Sequence, residues 1–214
     1  MEFHIRESRG CMVLGVTGNI ASGKSAAAAV LERFGAARVS ADELSREIVA
    51  PGSAVLAAIV ARFGSRILHP DGSLDRRRLG DIVFSNEEAR RELEAITHPA
   101  IAELSARRLR EAASCGPPLV VYEAPLLFEA DARERVDRVL VIRVDPRVQL
   151  ERLIRREGIT REQAKQRIDL QMPQEKKAAL ADEVIDNSGT LAELEAELRR
   201  LWRRLVPEGT PPGP

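Results

Sequence analysis

Eight residues near the start of the chain, Gly18-Asn19-Ile20-Ala21-Ser22-Gly23-Lys24-Ser25, carry the pattern G-x-x-x-x-G-K-[ST]. A glycine-rich turn of this kind lets successive backbone N–H groups point inward at a polyphosphate. The helix that starts there adds the positive end of its dipole. The spacing assigns Asn19, Ile20, Ala21, Ser22, Gly23, Lys24, Ser25 and Ala26 to a phosphate cradle. Lys24 is placed to reach the β- and γ-phosphates, and the Ser25 hydroxyl to ligate Mg²⁺. A glycine turn that binds nothing is the competing reading. It is disfavoured because the motif follows an apolar stretch, Met12–Thr17, and opens a helical one, which is the context the motif requires. The sequence thus implies a nucleoside triphosphate site.

Proteins with this loop do several jobs. A guanine-reading N-K-x-D is absent from the sequence, and the D-x-x-G at Asp186–Gly189 falls too late in the chain for a γ-phosphate-sensing switch. The length suits a small-molecule kinase better than a motor or transporter ATPase. Phosphoryl transfer asks the protein for positioning and charge neutralisation. Asp42, just after the second strand, is the candidate to meet an acceptor hydroxyl, with capping of a helix beginning near Glu43 as its alternative role. Arg152 and Arg156, four residues apart on one helical face, are candidates to close over the triphosphate; a solvated basic face is the alternative. Glu123, ending the third strand, is a candidate to hold Mg²⁺ through water, or to serve as a structural hydrogen-bond partner. His98 precedes Pro99 at an expected helix boundary.

These residues need a scaffold that brings them to one edge. Short apolar strands at Met12–Thr17, Ala37–Ser40, Leu119–Glu123, Arg138–Val144 and Glu183–Asp186 are separated by helical stretches, so a parallel sheet covered on both faces is expected. In such a sheet the carboxyl ends of the strands share the edge bearing the phosphate loop. Nearly eighty residues separate the second and third strands, far more than the dozen or so a crossover needs, and this excess reads as an inserted helical region. A second helical block, 147–181, contains a T-x-x-Q capping box at Thr160–Gln163. The last helix carries Leu191, Leu194, Leu198, Leu201 and Leu205 at core-packing spacing. The expected organisation is a nucleotide-binding core of 12–50, 114–146 and 182–205, a helical substrate-binding insertion at 51–113, a lid at 147–181, and flexible termini at 1–11 and 206–214.

Bulk properties exclude other classes. The 33 basic and 33 acidic side chains cancel, which leaves no global field to draw in nucleic acid or an anionic membrane. No apolar run approaches the ~20 residues of a bilayer span. Cys11 and Cys115 fit no metal or disulfide spacing, and the first ten residues lack the apolar core of a secretion signal. A cytoplasmic protein without nucleic-acid or membrane partners is expected.

From about Met12 to Leu205 the chain resembles the dephospho-CoA kinase family. The resembling segments are GVTGNIASGKS at Gly15–Ser25, SAD at Ser40–Asp42, PG at Pro51–Gly52, FG at Phe63–Gly64, DGSLDRRRL at Asp71–Leu79 and VF at Val83–Phe84. HP at His98–Pro99, PLLFE at Pro125–Glu129, then Gln149, Arg152, Arg156, Gln171 and ADEVIDNSG at Ala181–Gly189 complete the series. The resemblance implies a P-loop NTPase-type three-layer α/β sandwich with a five-stranded parallel sheet, an inserted helical substrate domain and a helical lid. It implies ATP-dependent phosphorylation of the ribose 3′-hydroxyl of dephospho-CoA, the last step of coenzyme A biosynthesis, with Mg²⁺. Asp42 would be the acceptor-facing base, Arg152 and Arg156 the lid arginines, and Asn187–Gly189 would lie near the adenine. Arg76, His98 and Glu129 are candidate CoA contacts.

Ser40 stands where the family usually has an acid, Ala26 where threonine is common, and Glu123 where an aspartate is usual. Asn19 stands where glycine is frequent, so the loop's backbone there must suit a side chain, and Asn tolerates left-handed conformations better than most residues. The alternatives are another P-loop small-molecule kinase, acting on a nucleoside, nucleotide or shikimate-like acceptor, and a nucleotide-binding regulatory module without turnover.

Overall fold

The computed structural model describes residues 11–84 and 86–206. Its elements run β1 (Met12–Thr17), α1 (Lys24–Arg33), β2 (Ala37–Ser40), α2 (Ala41–Glu47), α3 (Ala54–Phe63), α4 (Arg76–Phe84) and α5 (Glu87–Ser114). Then come β3 (Leu119–Glu123), β4 (Arg138–Arg143), α6 (Pro146–Glu157), α7 (Arg161–Asp169), α8 (Gln174–Ala179), β5 (Glu183–Asp186) and α9 (Leu191–Leu205). The five strands form one sheet in the order β2-β3-β1-β4-β5, with every pairing parallel.

The strand sequences explain that order. β3 is buried along its whole length and β4 along all but its end residues, as continuous β-branched runs require when both faces of a sheet are covered. β1 lies at the centre, between β3 and β4, so the strand order reverses around it and a crevice opens at its carboxyl end. The register places Val16 beside Glu123, which brings the end of β3 to the start of the glycine-rich loop. The main apolar cluster joins Leu14, Val16, Ala27, Leu31, Val121, Leu140, Leu194 and Leu198. α1 meets α9 through an edge-to-face contact between Phe34 and Trp202, with ring centroids 5.8 Å apart.

Local signals set the helix ends. Asp145 caps α6, accepting from Arg147 N–H at 2.8 Å ahead of Pro146 in the first turn, and left-handed Gly158 ends it. The capping box at Thr160 and Gln163 is present, and a second joins Thr190 and Glu193 at α9. The chain divides into two compact units. One takes residues up to Ser40 together with those from Arg108 onward, and the other spans Ala41–Arg107. The helical unit thus begins ahead of Pro51 and closes within α5, before residue 113. It also contains an isolated antiparallel bridge, Leu68 to Leu74.

Several expectations need correction. β4 stops at Arg143, one residue short of Val144. His98–Pro99 is no helix boundary, for α5 runs through it. The proline removes only the bond to the carbonyl of Ala95, and Ala95 and Pro99 are both exposed, so water can take that carbonyl. Leu191 is exposed and leaves the stripe to the buried Leu194, Leu198 and Leu201 and the partly buried Leu205. The termini expected to be flexible lie outside the described residues, except Cys11 and Val206, and both of these are buried.

Candidate active site

The glycine-rich loop is shaped by its backbone before any ligand is considered. Gly18 has φ of 147°, and a Cβ there would lie 2.2 Å from the carbonyl oxygen of Ile142. The left-handed non-glycine residue in the loop is Ala21, at φ 61°, and not Asn19. Asn19 is instead buried and donates from Nδ2 to Met172 O at 3.0 Å, a use of its side chain that a glycine could not supply. The first helical bond of α1 is Ala27 N–H to Gly23 O at 3.0 Å. The amides of Ser25 and Ala26 therefore precede the helical ladder, where anions bind. Lys24 Nζ donates to Asn19 O at 3.0 Å, which holds the ammonium across the loop.

Side-chain amides from three later segments brace this loop. Ile20 is held on both sides, its carbonyl accepting from Gln149 Nε2 at 2.8 Å and its N–H donating to Gln171 Oε1 at 2.6 Å. Ile20 thus gives both its backbone groups to the scaffold. Asn187 Nδ2 donates to Ser22 O at 2.8 Å.

At the mouth, Ser25 Oγ donates to Glu123 Oε1 at 2.6 Å. The other oxygen, Oε2, accepts from Arg38 Nε at 3.1 Å and Nη2 at 2.6 Å. Glu123 is 4% exposed, so its charge depends on these partners. A hydroxyl and a carboxylate are hard oxygen donors that suit Mg²⁺, which takes few protein ligands and completes its shell with phosphate and water. Among the described residues, no group of three or more His, Cys, Asp or Glu could hold a metal ion.

The other candidates take varied positions. Arg152 donates from Nη1 to Asn187 O at 2.7 Å and from Nη2 to Gly189 O at 3.1 Å, tying α6 to the turn after β5. Arg156 is exposed and paired with Glu157 at 2.7 Å. That hydrogen bond, with Arg167 adding to it, holds the Glu157 carboxyl below its ordinary range. Asp42 is exposed in the first turn of α2, inside a helix that already starts at Ala41 and so does not need it as a cap before Glu43. Arg76 donates to Ser45 O at 3.3 Å within the helical unit, and His98 is exposed on α5. Glu129 pairs with Lys177 at 2.8 Å and accepts from Met172 N–H at 3.3 Å. That carboxylate is therefore engaged within the nucleotide-binding unit.

Two residues of this arrangement escape sequence reasoning. Arg38 is a lone charge in a four-residue strand, and Lys177 is one of two adjacent lysines on a short polar helix. Nothing local separates either from an ordinary surface residue. Lys177 is fully buried, and it also donates to Pro125 O at 2.9 Å. Among the described residues no helix is long and apolar enough to cross a membrane.

The family model described as dephospho-CoA kinase matches residues 12–193. A dephospho-CoA kinase of Geobacter metallireducens is 52% identical over 195 residues, covering 91% of this chain and 97% of the relative. The crystal structure of TT1252 from Thermus thermophilus superposes with a TM-score of 0.77 at 33% identity, covering 92% of this chain and 98% of that one. A dephospho-CoA kinase from Campylobacter jejuni gives 0.69 at 31% identity, covering 91% and 96%.

Proposed function

The chain belongs to the dephospho-CoA kinase family, and from that premise we propose that it transfers the γ-phosphoryl group of ATP to the ribose 3′-hydroxyl of dephospho-CoA, giving coenzyme A and ADP. The observation that carries this reading is the braced loop with Ser25 Oγ set 2.6 Å from Glu123. Such a loop orders a triphosphate for in-line transfer and leaves little covalent work to the protein.

In this reading the acceptor oxygen bonds to the γ-phosphorus as the bond to the β,γ-bridging oxygen breaks. Asp42 accepts the hydroxyl proton. Lys24, Arg152 and Arg156 balance the charge that builds on the phosphoryl oxygens and on departing ADP. The loop from Asn19 to Ala26 holds the phosphates, and Asn187 borders the adenine. Ser25, with Glu123 acting through water, would hold Mg²⁺, whose contribution is charge neutralisation between the phosphates. The insertion at 51–113 receives the CoA moiety, and the helical block at 147–181 closes over the nucleotide to keep water from the γ-phosphate. The balanced charge and two cysteines outside any CxxC or Cys/His spacing support a cytoplasmic enzyme that acts on small molecules, without nucleic-acid or membrane partners.

A coupled ADP-release assay with MgATP tests the reading, offering dephospho-CoA, adenosine, AMP, uridine and shikimate in parallel. Turnover confined to dephospho-CoA, with the product mass of coenzyme A, is expected. Turnover on another of these acceptors would keep the kinase and overturn the substrate. ATP binding with no turnover would overturn the kinase.

A further inference from the structure

Arg38 lies on the edge strand β2, and nothing in the reaction described above uses it. The β2–β3 register sets Arg38 beside Val121 and Ser40 beside Glu123. Residues two apart on a strand share a face, so the guanidinium reaches diagonally, past the small buried Ser40, to the carboxylate one pair further on. Both of its contacts go to a single oxygen, Glu123 Oε2. That leaves Oε1 for Ser25.

The division between the two oxygens matters because a serine hydroxyl has one proton and two acceptor lone pairs. Committing the proton to Glu123 Oε1 turns the lone pairs of Ser25 Oγ toward whatever cation enters. Glu123 can serve this purpose only if its long side chain keeps one rotamer and its buried charge is balanced, and Arg38 supplies both conditions. An ordinary surface ion pair would end in solvent, whereas this one ends on the hydroxyl of the phosphate loop.

We propose that Arg38 is a positioning residue for the metal–nucleotide site, orienting Ser25 through Glu123. The inference rests on the nucleotide-site reading given above. It concerns the Mg²⁺ dependence of ATP binding and is independent of which acceptor the enzyme uses.

The test is direct titration of the full chain with ATP, in MgCl₂ and separately in EDTA, for the wild type, Arg38→Met and Arg38→Lys. Groups that orient metal ligands typically contribute ~10–100-fold to metal affinity. In Arg38→Met the ratio of the two dissociation constants should therefore fall at least about tenfold, with the EDTA value within about twofold of wild type. Arg38→Lys restores the charge without the two-nitrogen grip and should recover the ratio in part; it also reads the effect if the methionine variant fails to fold. A normal ratio in both variants overturns the inference, and so does an equal loss of affinity with and without Mg²⁺, which would mean a distorted loop. If wild type itself shows no Mg²⁺ enhancement, the nucleotide-site reading fails, and this inference fails with it.

Discussion

Asn187 closes over Gly23: its Nδ2 donates to Ser22 O at 2.8 Å, and a Cβ built on Gly23 would lie 2.0 Å from that same nitrogen. Gly23 also sits at φ 98°, where L side chains are strained by about 1–3 kcal/mol. Gly23→Ala should therefore abolish ATP binding in a titration. Gly23→Ala/Asn187→Ala should not restore it, because removing the clash leaves the backbone strain. Recovery in the double variant would show that the clash alone matters.

Lys24→Ala and Asp42→Ala should each lower kcat by about a hundredfold or more, the range expected for a lost charge-stabilising group or general base. Far-UV circular dichroism should remain unchanged. Near-normal turnover in the ADP-release assay would remove the residue from the mechanism.

Arg152 holds the turn at Asn187 and Gly189 through two hydrogen bonds, whereas Arg156 pairs with its neighbour Glu157. Arg152→Ala should lower kcat and also raise the KM for ATP by roughly tenfold, since a hydrogen bond from a charged donor contributes ~1.5–3 kcal/mol. Arg156→Ala should lower kcat alone. Steady-state kinetics of the two variants side by side separate these outcomes.

Lys177 and Glu129 form an ion pair in which the lysine has no exposed surface. Glu129 keeps solvent access, so the loss lies on the lysine's side, where a hydrogen bond from a charged donor contributes ~1.5–3 kcal/mol. Lys177→Met should accordingly shift the urea midpoint strongly downward. Lys177→Met/Glu129→Gln should regain part of the loss, because the glutamine carries no unpaired charge and can still accept from Met172 N–H. An unchanged midpoint in Lys177→Met would contradict the buried geometry.

The capping box of α9 predicts a pH effect with a definite sign. The backbone N–H of Thr190, and then its hydroxyl, hold the Glu193 carboxyl below its ordinary value of 4.5. A carboxyl whose folded value is depressed adds stability that is fully present above 4.5 and is lost as the pH falls through the lower folded value. Glu193→Gln keeps an acceptor for the cap but cannot titrate. Its thermal midpoint should depend less on pH below 4.5 than the wild type's.

Local patterns made much of this molecule legible. β1, β2, β3 and β5 have the bounds that their apolar runs suggest, and Thr160 and Gln163 announce their helix start. The phosphate loop is a contiguous motif, so its type and place follow directly. What the sequence hides are contacts between segments far apart in the chain. Arg38 meets Glu123 across 85 positions, and Gln149 meets Ile20 across 129. Such partners emerge only once the sheet register is known, and Gln149 and Gln171 were visible through family resemblance alone. The continuation of α5 through Pro99 shows the complementary failure, in which a strong local breaker is tolerated where Ala95 and Pro99 are both exposed and water can take the orphaned carbonyl.

The central place of β1 also governs the order in which the protein can form. Its neighbours are β3 and β4, and Met12 first finds its partner at Leu119. A ribosome therefore completes the phosphate loop early and then makes the entire helical unit before any strand exists to receive β1. Pairings of such long sequence separation carry a loop-closure entropy that slows folding. The helical unit, built from local contacts, can acquire structure while the glycine-rich turn is still an open chain. In the proposed reading, nucleotide binding is accordingly a late acquisition during synthesis, and it awaits the emergence of Glu123 and its flanking strands.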